Sequence, residues 1–296
     1  DPTASILVKE LASYYGLNED QVFVGVGSDD VLAMSFLTFF NSDKPVLFPD
    51  VTYSFYKVWA DLFKVPFETP VLKEDFTIDV KDYEKENGGV IFPNPNAPTG
   101  VYMPLDQVEE ILKANQDVVV IVDEAYVDFA GPSALELLDK YENLLVVQTF
   151  SKSRSMAGMR IGFAMGHPDL IRALNDVKYS YNSYTMNLPS LLAGVEAVKD
   201  KEYFEKTIEK IVATRERAKK RLTELGFTFP NSQSNFIFAS HKSVPAGKIF
   251  EALKKEQIYV RYFKTPGLDN SLRISIGTDE EMDTLFRFLE AYLPNA

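Results

Sequence analysis

Short apolar runs alternate with amphipathic segments of helical period along the first two thirds of the chain, and this alternation constrains the fold most. Residues 118–123, VVVIVD, and 144–149, LLVVQT, have the composition of buried strands. Segments such as 28–40, 105–115 and 168–181 have helical period instead. Because strands that alternate with helices are typical of parallel sheets, the sequence predicts an α/β fold with a mostly parallel central sheet sandwiched by helices.

A different pattern follows the charged helical stretch at 187–225. Two helical segments, 246–256 and 279–293, interleave with short alternating strand patterns. These patterns are FTFP, NFIFAS, IYVRYF and LRISIG. We therefore predict a large domain over 1–205 and a small C-terminal α+β domain over 206–296.

Composition excludes several classes of function. The 43 acidic and 31 basic side chains give a net charge of −12, which argues against nucleic acid and anionic membranes as partners. The chain has no cysteine and only two histidines, so we predict no disulfide and no metal site. No apolar run approaches the roughly 20 residues of a membrane span, and no signal segment opens the chain. We expect a soluble cytoplasmic protein whose natural amino terminus lies upstream of Asp1.

Polar residues follow three of the predicted strands. Ser28 and Asp29 open a helix directly after a strand, where free N–H groups favour an anion such as phosphate. Asp123 ends one apolar run, and Ser151 and Lys152 follow another. Taken singly, Ser28 or Asp29 is explained by helix capping and Lys152 by a side chain that reaches solvent. Because ligands gather at the carboxyl ends of strands in open α/β sheets, we expect these residues to share one site.

The amine at position 152 indicates which ligand this site binds. An unpaired ammonium in an apolar setting costs several kcal/mol, roughly, so a buried Lys152 needs a chemical reason. Pyridoxal 5′-phosphate uses an amine for a Schiff base, a carboxylate for its ring nitrogen, and N–H groups and cations for its phosphate. Lys152, Asp123, the helix start at Ser28 and Arg160 supply such a set. The sequence therefore predicts a pyridoxal-phosphate site.

Five motifs carry a resemblance to a known family. In chain order they are GLNEDQVFVGVGSDD, NPNAPTG, VDEAYVDF, SKSRSMAGMRIGF and LRISIGT. Over almost its whole length the chain resembles the fold-type I pyridoxal-phosphate-dependent aminotransferases, and among them the histidinol-phosphate aminotransferase group. The resemblance implies the type I pyridoxal-phosphate transferase fold and a homodimer. It also implies an amino-terminal arm over the substrate, which would lie upstream of Asp1.

The resemblance also implies roles for individual residues. Lys152 would form the internal aldimine and move the proton between the substrate Cα and the cofactor. Asp123 would pair with the ring nitrogen, Tyr126 would hydrogen-bond the ring hydroxyl O3′, and Tyr53 would stack on the ring. The alternative for Tyr53 is a core tyrosine.

The phosphate and the substrate would be held by further residues. Those implied for the phosphate are the backbone N–H groups of Ser28 and Asp29, together with Ser151, Arg160 and, as a weaker candidate, Thr149. Arg261 and Arg273 match a pair that grips the anionic end of the substrate, although either alone would also suit a surface ion pair. Asn235 matches a residue near the active site.

One position departs from the family pattern. Ala97 stands in NPNAPTG where the family has an asparagine that contacts O3′. Alanine has no polar group for that contact. Either Asn96 or Asn94 substitutes for it, or Tyr126 makes the contact alone.

The implied activity is transamination between glutamate and imidazole-acetol phosphate, which gives L-histidinol phosphate and 2-oxoglutarate. A threonine-phosphate decarboxylase and an aromatic amino acid aminotransferase are the enzymatic alternatives. A non-catalytic cofactor-binding module of a transcription regulator is the alternative of another class, but the chain shows no basic DNA-binding segment.

Overall fold

The computed structural model describes residues 1–296, which form a seven-stranded and a four-stranded sheet packed with helices. The helices are α1 (Ser5–Tyr15), α2 (Ser28–Phe39), α3 (Phe55–Phe63), α4 (Leu105–Ala114), α5 (Pro168–Tyr181), α6 (Leu188–Lys199), α7 (Lys201–Glu224), α8 (Ala246–Lys255) and α9 (Asp279–Tyr292). The strands are β1 (Val22–Gly25), β2 (Val46–Leu47), β3 (Phe67–Glu68), β4 (Gly89–Pro93), β5 (Val120–Asp123), β6 (Leu144–Thr149), β7 (Gly162–Gly166), β8 (Phe227–Thr228), β9 (Phe236–His241), β10 (Arg261–Tyr262) and β11 (Leu272–Ser275).

The large sheet has the strand order β1-β7-β6-β5-β4-β2-β3. Strands β6, β5, β4, β2 and β3 are paired in parallel, whereas β7 runs antiparallel to both of its neighbours. The predicted mostly parallel sheet is confirmed, with one reversed strand. Because β7 is reversed, it begins at the edge where the other strands end. Arg160, which precedes β7, is therefore brought to the edge that also carries Asp123.

Helices cover both faces of the large sheet, as the continuous apolar strands predict. Along β5, Val120 and Val122 belong to one apolar cluster and Ile121 to another. The two clusters contain 29 and 19 buried residues, so neither face of the sheet is left to water. A sheet buried on both faces can position polar side chains only at its edges and strand ends, and the candidate site lies there.

The second sheet is antiparallel, in the order β10-β11-β9-β8, and packs with α7, α8 and α9 around its own apolar cluster. The charged helical stretch predicted at 187–225 forms two helices, because Asp200 interrupts it and its side chain caps α7 by accepting from the Tyr203 N–H at 3.2 Å.

Helix α7 packs on both parts of the molecule. Ile208 and Ile211 in its first half contact the cluster around Tyr126, whereas Ala218 and Leu222 belong to the core of the small sheet. The domain boundary predicted between residues 205 and 206 falls inside this helix, and the division itself stays a prediction.

No helix in the structure has the length and apolar character needed to span a membrane.

Candidate active site

A glycine-rich turn joins β1 to α2 and leaves the start of that helix open. Gly27 precedes α2 with φ 87°, a conformation that favours glycine, and no side chain caps the helix. A Cβ atom at Gly162, the first residue of β7, would overlap the peptide between Gly27 and Ser28. Both glycines are therefore needed to bring the β7 backbone against this turn. The first N–H groups of α2, including those of Ser28 and Asp29, have no capping side chain.

Arg160 lies beside this turn. Its guanidinium Nη2 is 3.8 Å from Asp29 Oδ2, and its Nη1 donates to the Ala157 carbonyl at 3.2 Å. A Cβ at Gly27 would meet the guanidinium carbon at 3.0 Å, so the missing side chain makes room for the arginine. A cation and an uncapped helix start are thus adjacent, as an anion site requires.

The turn after β6 is held by Thr149. Its hydroxyl donates to the Ile161 carbonyl at 3.2 Å and accepts from the Ser151 N–H at 3.1 Å. Thr149 is buried and Ser151 is half-buried. In this structure the Thr149 hydroxyl shapes the turn that leads to Lys152, and its predicted part in phosphate binding stays a prediction.

Asp123 is a buried carboxyl at the end of β5. Its Oδ2 accepts from the Tyr56 hydroxyl at 2.8 Å, and its Oδ1 accepts from the Ala125 N–H at 3.3 Å. Burial raises the pKa of Asp123 to about 6, although the hydrogen bond from Tyr56 and the charge of Lys152 oppose this rise. A buried carboxyl with a pKa raised in this way is typical of a functional site.

Lys152 lies close to Tyr126, and its positive charge acts on this carboxyl. The Lys152 Nζ is 5.4 Å from the centre of the Tyr126 ring, and the lysine is half-buried. Tyr53, from the segment before α3, donates its hydroxyl to Asp29 Oδ1 at 2.8 Å. Its ring is half-buried and packs edge-on against the Tyr56 ring at 5.7 Å. Tyr53 thereby links the helix start at Asp29 to the surroundings of Asp123.

Asn94 and Asn96 in NPNAPTG are the alternatives for the O3′ contact that Ala97 cannot make, and their hydrogen bonds differ. Both polar groups of Asn94 are bonded to the Met103 backbone, at 2.9 and 2.8 Å. The Asn96 amide donates to the Val51 carbonyl and to Thr99, each at 3.0 Å, while its buried Oδ1 has no partner. Ala97 is buried against Tyr126. Both side-chain polar groups of Asn94 are therefore used within the fold, whereas the Asn96 side-chain oxygen has no hydrogen-bond donor.

Arg273, on β11 of the small sheet, is linked to Tyr126 through the ring of Phe236. The Arg273 guanidinium is 5.0 Å from the Phe236 ring, and that ring meets the Tyr126 ring edge-on at 5.1 Å. Its Nε is buried and has no hydrogen-bond partner. Arg261 pairs with Arg273 across β10 and β11, but it is exposed. Asn235 is half-buried, and its carbonyl accepts from the Ile276 N–H at 2.8 Å.

Comparison with protein families agrees with this geometry. The family described as aminotransferase class I and II matches residues 3–289, which is nearly the whole chain. The chain belongs to this aminotransferase family. The family resemblance inferred from the motifs is thereby confirmed.

Several relatives that match nearly the whole of this aminotransferase are named histidinol-phosphate aminotransferase. This chain is 50% identical over 295 residues to a histidinol-phosphate aminotransferase from Clostridium beijerinckii, a match that covers 100% of the chain and 82% of the relative. A protein of that name from Clostridium acetobutylicum is 54% identical over 282 residues, covering 95% of the chain and 80% of the relative. The crystal structure of histidinol-phosphate aminotransferase from Sinorhizobium meliloti in complex with pyridoxal 5′-phosphate has a TM-score of 0.88 and 25% identity, covering 99% of this chain and 81% of that one.

Sequence reasoning missed two residues of the candidate site. Tyr56 follows Tyr53 by three positions, a spacing that can place two side chains on one helix face, and this was the only local signal for it. Phe236 was assigned only to a strand pattern, and nothing local indicates that it bridges Tyr126 and Arg273. Neither contact involves neighbours in the chain, so both depend on tertiary packing.

Proposed function

We propose that this aminotransferase transfers an amino group between L-glutamate and imidazole-acetol phosphate, giving 2-oxoglutarate and L-histidinol phosphate. Pyridoxal 5′-phosphate is its cofactor. The observation that carries the proposal is the meeting of Lys152, Asp123 and the open start of α2 at one sheet edge. The substrate assignment is supported by the name of relatives that share about half of their residues with the chain.

Three features of the site fit this cofactor. The uncapped start of α2, beside Arg160, suits the phosphate group, to which Ser151 would add a hydroxyl. The buried Asp123 suits a protonated ring nitrogen, because a buried carboxylate needs a cationic partner. The unpaired Asn96 Oδ1 lies in a buried setting that needs a polar partner. Tyr126 and Asn96 would face the ring hydroxyl, and Tyr53 would lie against the ring.

Each of these side chains has a task in transamination. The bound cofactor supplies an electron-withdrawing ring that stabilises negative charge at the substrate Cα. Lys152 would take the proton from that carbon as a general base and deliver it to the cofactor as a general acid, and the transfer would run in the opposite direction in the second half-reaction. Asp123 would hold a negative charge next to the ring nitrogen. Tyr126, which lies next to the lysine, is buried together with Ala97 and Phe236, so this flank of the lysine is shielded from water.

Arg273 is the residue that we assign to the anionic end of the substrate. A guanidinium binds phosphate or carboxylate through paired hydrogen bonds, and both substrates of the proposed reaction are anionic. Its unpaired, buried Nε leaves a donor for such a ligand. The exposed Arg261, on the neighbouring strand, would add positive charge at the entrance.

One assay separates the proposed function from its alternatives. The protein loaded with cofactor is given glutamate and imidazole-acetol phosphate, and 2-oxoglutarate and histidinol phosphate are measured. We expect both products in equal amounts. Release of carbon dioxide from threonine phosphate would identify a decarboxylase instead, and exchange only with aromatic amino acids would identify an aromatic aminotransferase. Cofactor binding without any turnover would favour a regulatory module.

Replacement of Arg160 by alanine should weaken cofactor binding. Loss of a hydrogen bond to a charged group costs about 1.5–3 kcal/mol, which corresponds to a roughly 10- to 100-fold rise in the cofactor dissociation constant. Equilibrium titration of the apoprotein, followed by cofactor absorbance, measures this change. Arg172→Ala is the matched control, because that exposed arginine pairs only with Asp169 on α5. Equal affinities of the two variants would remove Arg160 from the phosphate site.

Replacement of Arg273 by glutamine should raise the KM for histidinol phosphate by about 10- to 100-fold, because a buried charged donor is lost. Cofactor affinity should change little, since no cofactor-binding role is assigned to Arg273. Steady-state kinetics with both substrates give the comparison. Arg287→Gln, on the outer helix α9, serves as control. An unchanged KM would exclude Arg273 from substrate binding.

We also propose that the protein is a cytoplasmic homodimer. On α3, Phe55, Val58 and Leu62 leave 46%, 48% and 67% of their surface exposed, and Tyr181 at the end of α5 and Tyr184 after it are about four-fifths exposed. Large apolar side chains grouped on a surface are typical of a contact with another chain. Sedimentation velocity at micromolar concentration should give twice the mass of the chain. A single-chain mass would contradict the dimer.

A further inference from the structure

Tyr56 makes a contact that reaches from α3 to the end of β5. Its side chain is fully buried, and its hydroxyl donates to Asp123 Oδ2 at 2.8 Å. The other hydrogen bond to this carboxyl comes from the Ala125 N–H, at 3.3 Å. Tyr56 is therefore the side chain that supplies a donor to Asp123.

Packing alone does not explain a tyrosine here. The ring lies among aromatic neighbours, with centres 5.9 Å from the Phe48 ring, 6.3 Å from Phe36 and 6.2 Å from Trp59. A phenylalanine would fill this apolar space equally well without burying a hydroxyl group. A buried hydroxyl is costly unless it is hydrogen-bonded, and Asp123 is its partner.

We propose that Tyr56 is a positioning residue of the active site, whose hydroxyl orients Asp123 and stabilises its carboxylate form for the cofactor ring nitrogen. This inference rests on the proposed function for its link to the cofactor. The hydrogen bond itself is a property of the chain without cofactor.

The charges around Asp123 explain why a donor is needed. Burial raises the pKa of this carboxyl, and the negative charge of Asp29 on α2 raises it further. The hydrogen bonds from Tyr56 on α3 and from the Ala125 N–H lower the pKa, as does the positive charge of Lys152 after β6. Burial also raises the pKa of Tyr56, so its hydroxyl keeps its proton and remains a donor. Without this hydroxyl, Asp123 should remain protonated to a higher pH.

The structure offers a matched control for the substitution Tyr56→Phe. Tyr83 is also buried, at 1% exposure, but its hydroxyl has no hydrogen-bond partner. Tyr83→Phe thus removes the same atom from a buried ring without breaking a hydrogen bond. Any effect of Tyr56→Phe beyond that of Tyr83→Phe reports on the contact with Asp123.

The first measurement uses the apoprotein and does not depend on activity. Because the pKa of Asp123 is higher in the folded chain than in the unfolded chain, the free energy of unfolding falls as pH rises between the two values. In Tyr56→Phe this fall should extend to higher pH, by about one pH unit, which corresponds to a tenfold shift in the protonation equilibrium. Tyr83→Phe should follow the wild-type profile. In an Asp123→Asn background, Tyr56→Phe should leave the profile unchanged.

The second measurement uses the cofactor. Tyr56→Phe should raise the pyridoxal-phosphate dissociation constant by about tenfold and lower kcat, relative to Tyr83→Phe. If Tyr56→Phe and Tyr83→Phe give the same pH profile and the same cofactor affinity, Tyr56 has no positioning role and the inference is overturned. If the wild-type protein performs no transamination, the proposed function fails, whereas the apoprotein profile still decides whether Tyr56 controls Asp123.

Discussion

Substitution of Lys152 by alanine is expected to lower the transamination rate by about 10³–10⁴-fold, the upper part of the range for a positioned acid–base residue. The half-buried amine lies 5.4 Å from the Tyr126 ring, at the sheet edge that carries Asp123. No other lysine is assigned to this edge, so no neighbouring amine can take over the proton transfer. Single-turnover kinetics with glutamate measure the effect on the chemical step.

Two controls make the Lys152 result specific. Lys152→Arg keeps the positive charge, but its guanidinium stays protonated and cannot act as a base. This variant should therefore be as slow as Lys152→Ala. Added methylamine should partly restore the rate of Lys152→Ala, because a small amine can enter the space left by the side chain. Borohydride treatment of the loaded wild-type protein should attach the reduced cofactor to the peptide that contains Lys152. Normal turnover of Lys152→Ala would contradict the assignment.

Substitution of Asp123 by asparagine is expected to have opposite effects on turnover and on stability. Loss of the negative charge that we propose for the ring nitrogen should lower kcat by about 10²–10³-fold, the scale of a preorganised electrostatic group. The apoprotein should become more stable at pH 7, because burial of a neutral amide costs less free energy than burial of a carboxylate. Functional groups that destabilise their own fold commonly show this trade-off.

The sign of the stability effect follows from the raised pKa of Asp123. Burial raises the pKa from 3.8 to about 6, so the folded chain holds the proton more tightly than the unfolded chain. The resulting stabilisation is present below pH 3.8 and is lost as pH rises to about 6, with a total of about 3 kcal/mol. Relative to wild type, Asp123→Asn should therefore gain about 2 kcal/mol between pH 4 and pH 7. Urea unfolding of both apoproteins at these pH values tests this, and parallel profiles would contradict it.

Much of the fold could be predicted because the relevant signals are local. The helix predicted over 168–181 coincides with α5, and the apolar run that ends at Asp123 forms β5. The reversed direction of β7 was not predicted, since strand direction depends on pairing and not on composition. The stretch at 187–225 was interpreted as one helical region because its period continues across Asp200, whose capping role appears only in the structure.

The candidate site could be predicted in part. Lys152, Asp123 and the helix start at Ser28 are expected together because strand ends meet at one edge of a parallel sheet, and they lie at one edge in the structure. The commitment of Asn94 to Met103 could not be predicted, since neighbouring asparagines in one turn look alike in sequence.

The sequence by itself determined the elements and the chemical groups that this aminotransferase has available, because period and composition act over a few neighbouring residues. Only the tertiary structure decided which of these groups contact one another. Tyr56 reaches Asp123 across 67 positions of the chain, and Phe236 connects Arg273 to Tyr126 from the other sheet. Such contacts form because buried polar and aromatic side chains must find partners in a close-packed interior, whatever their separation in sequence.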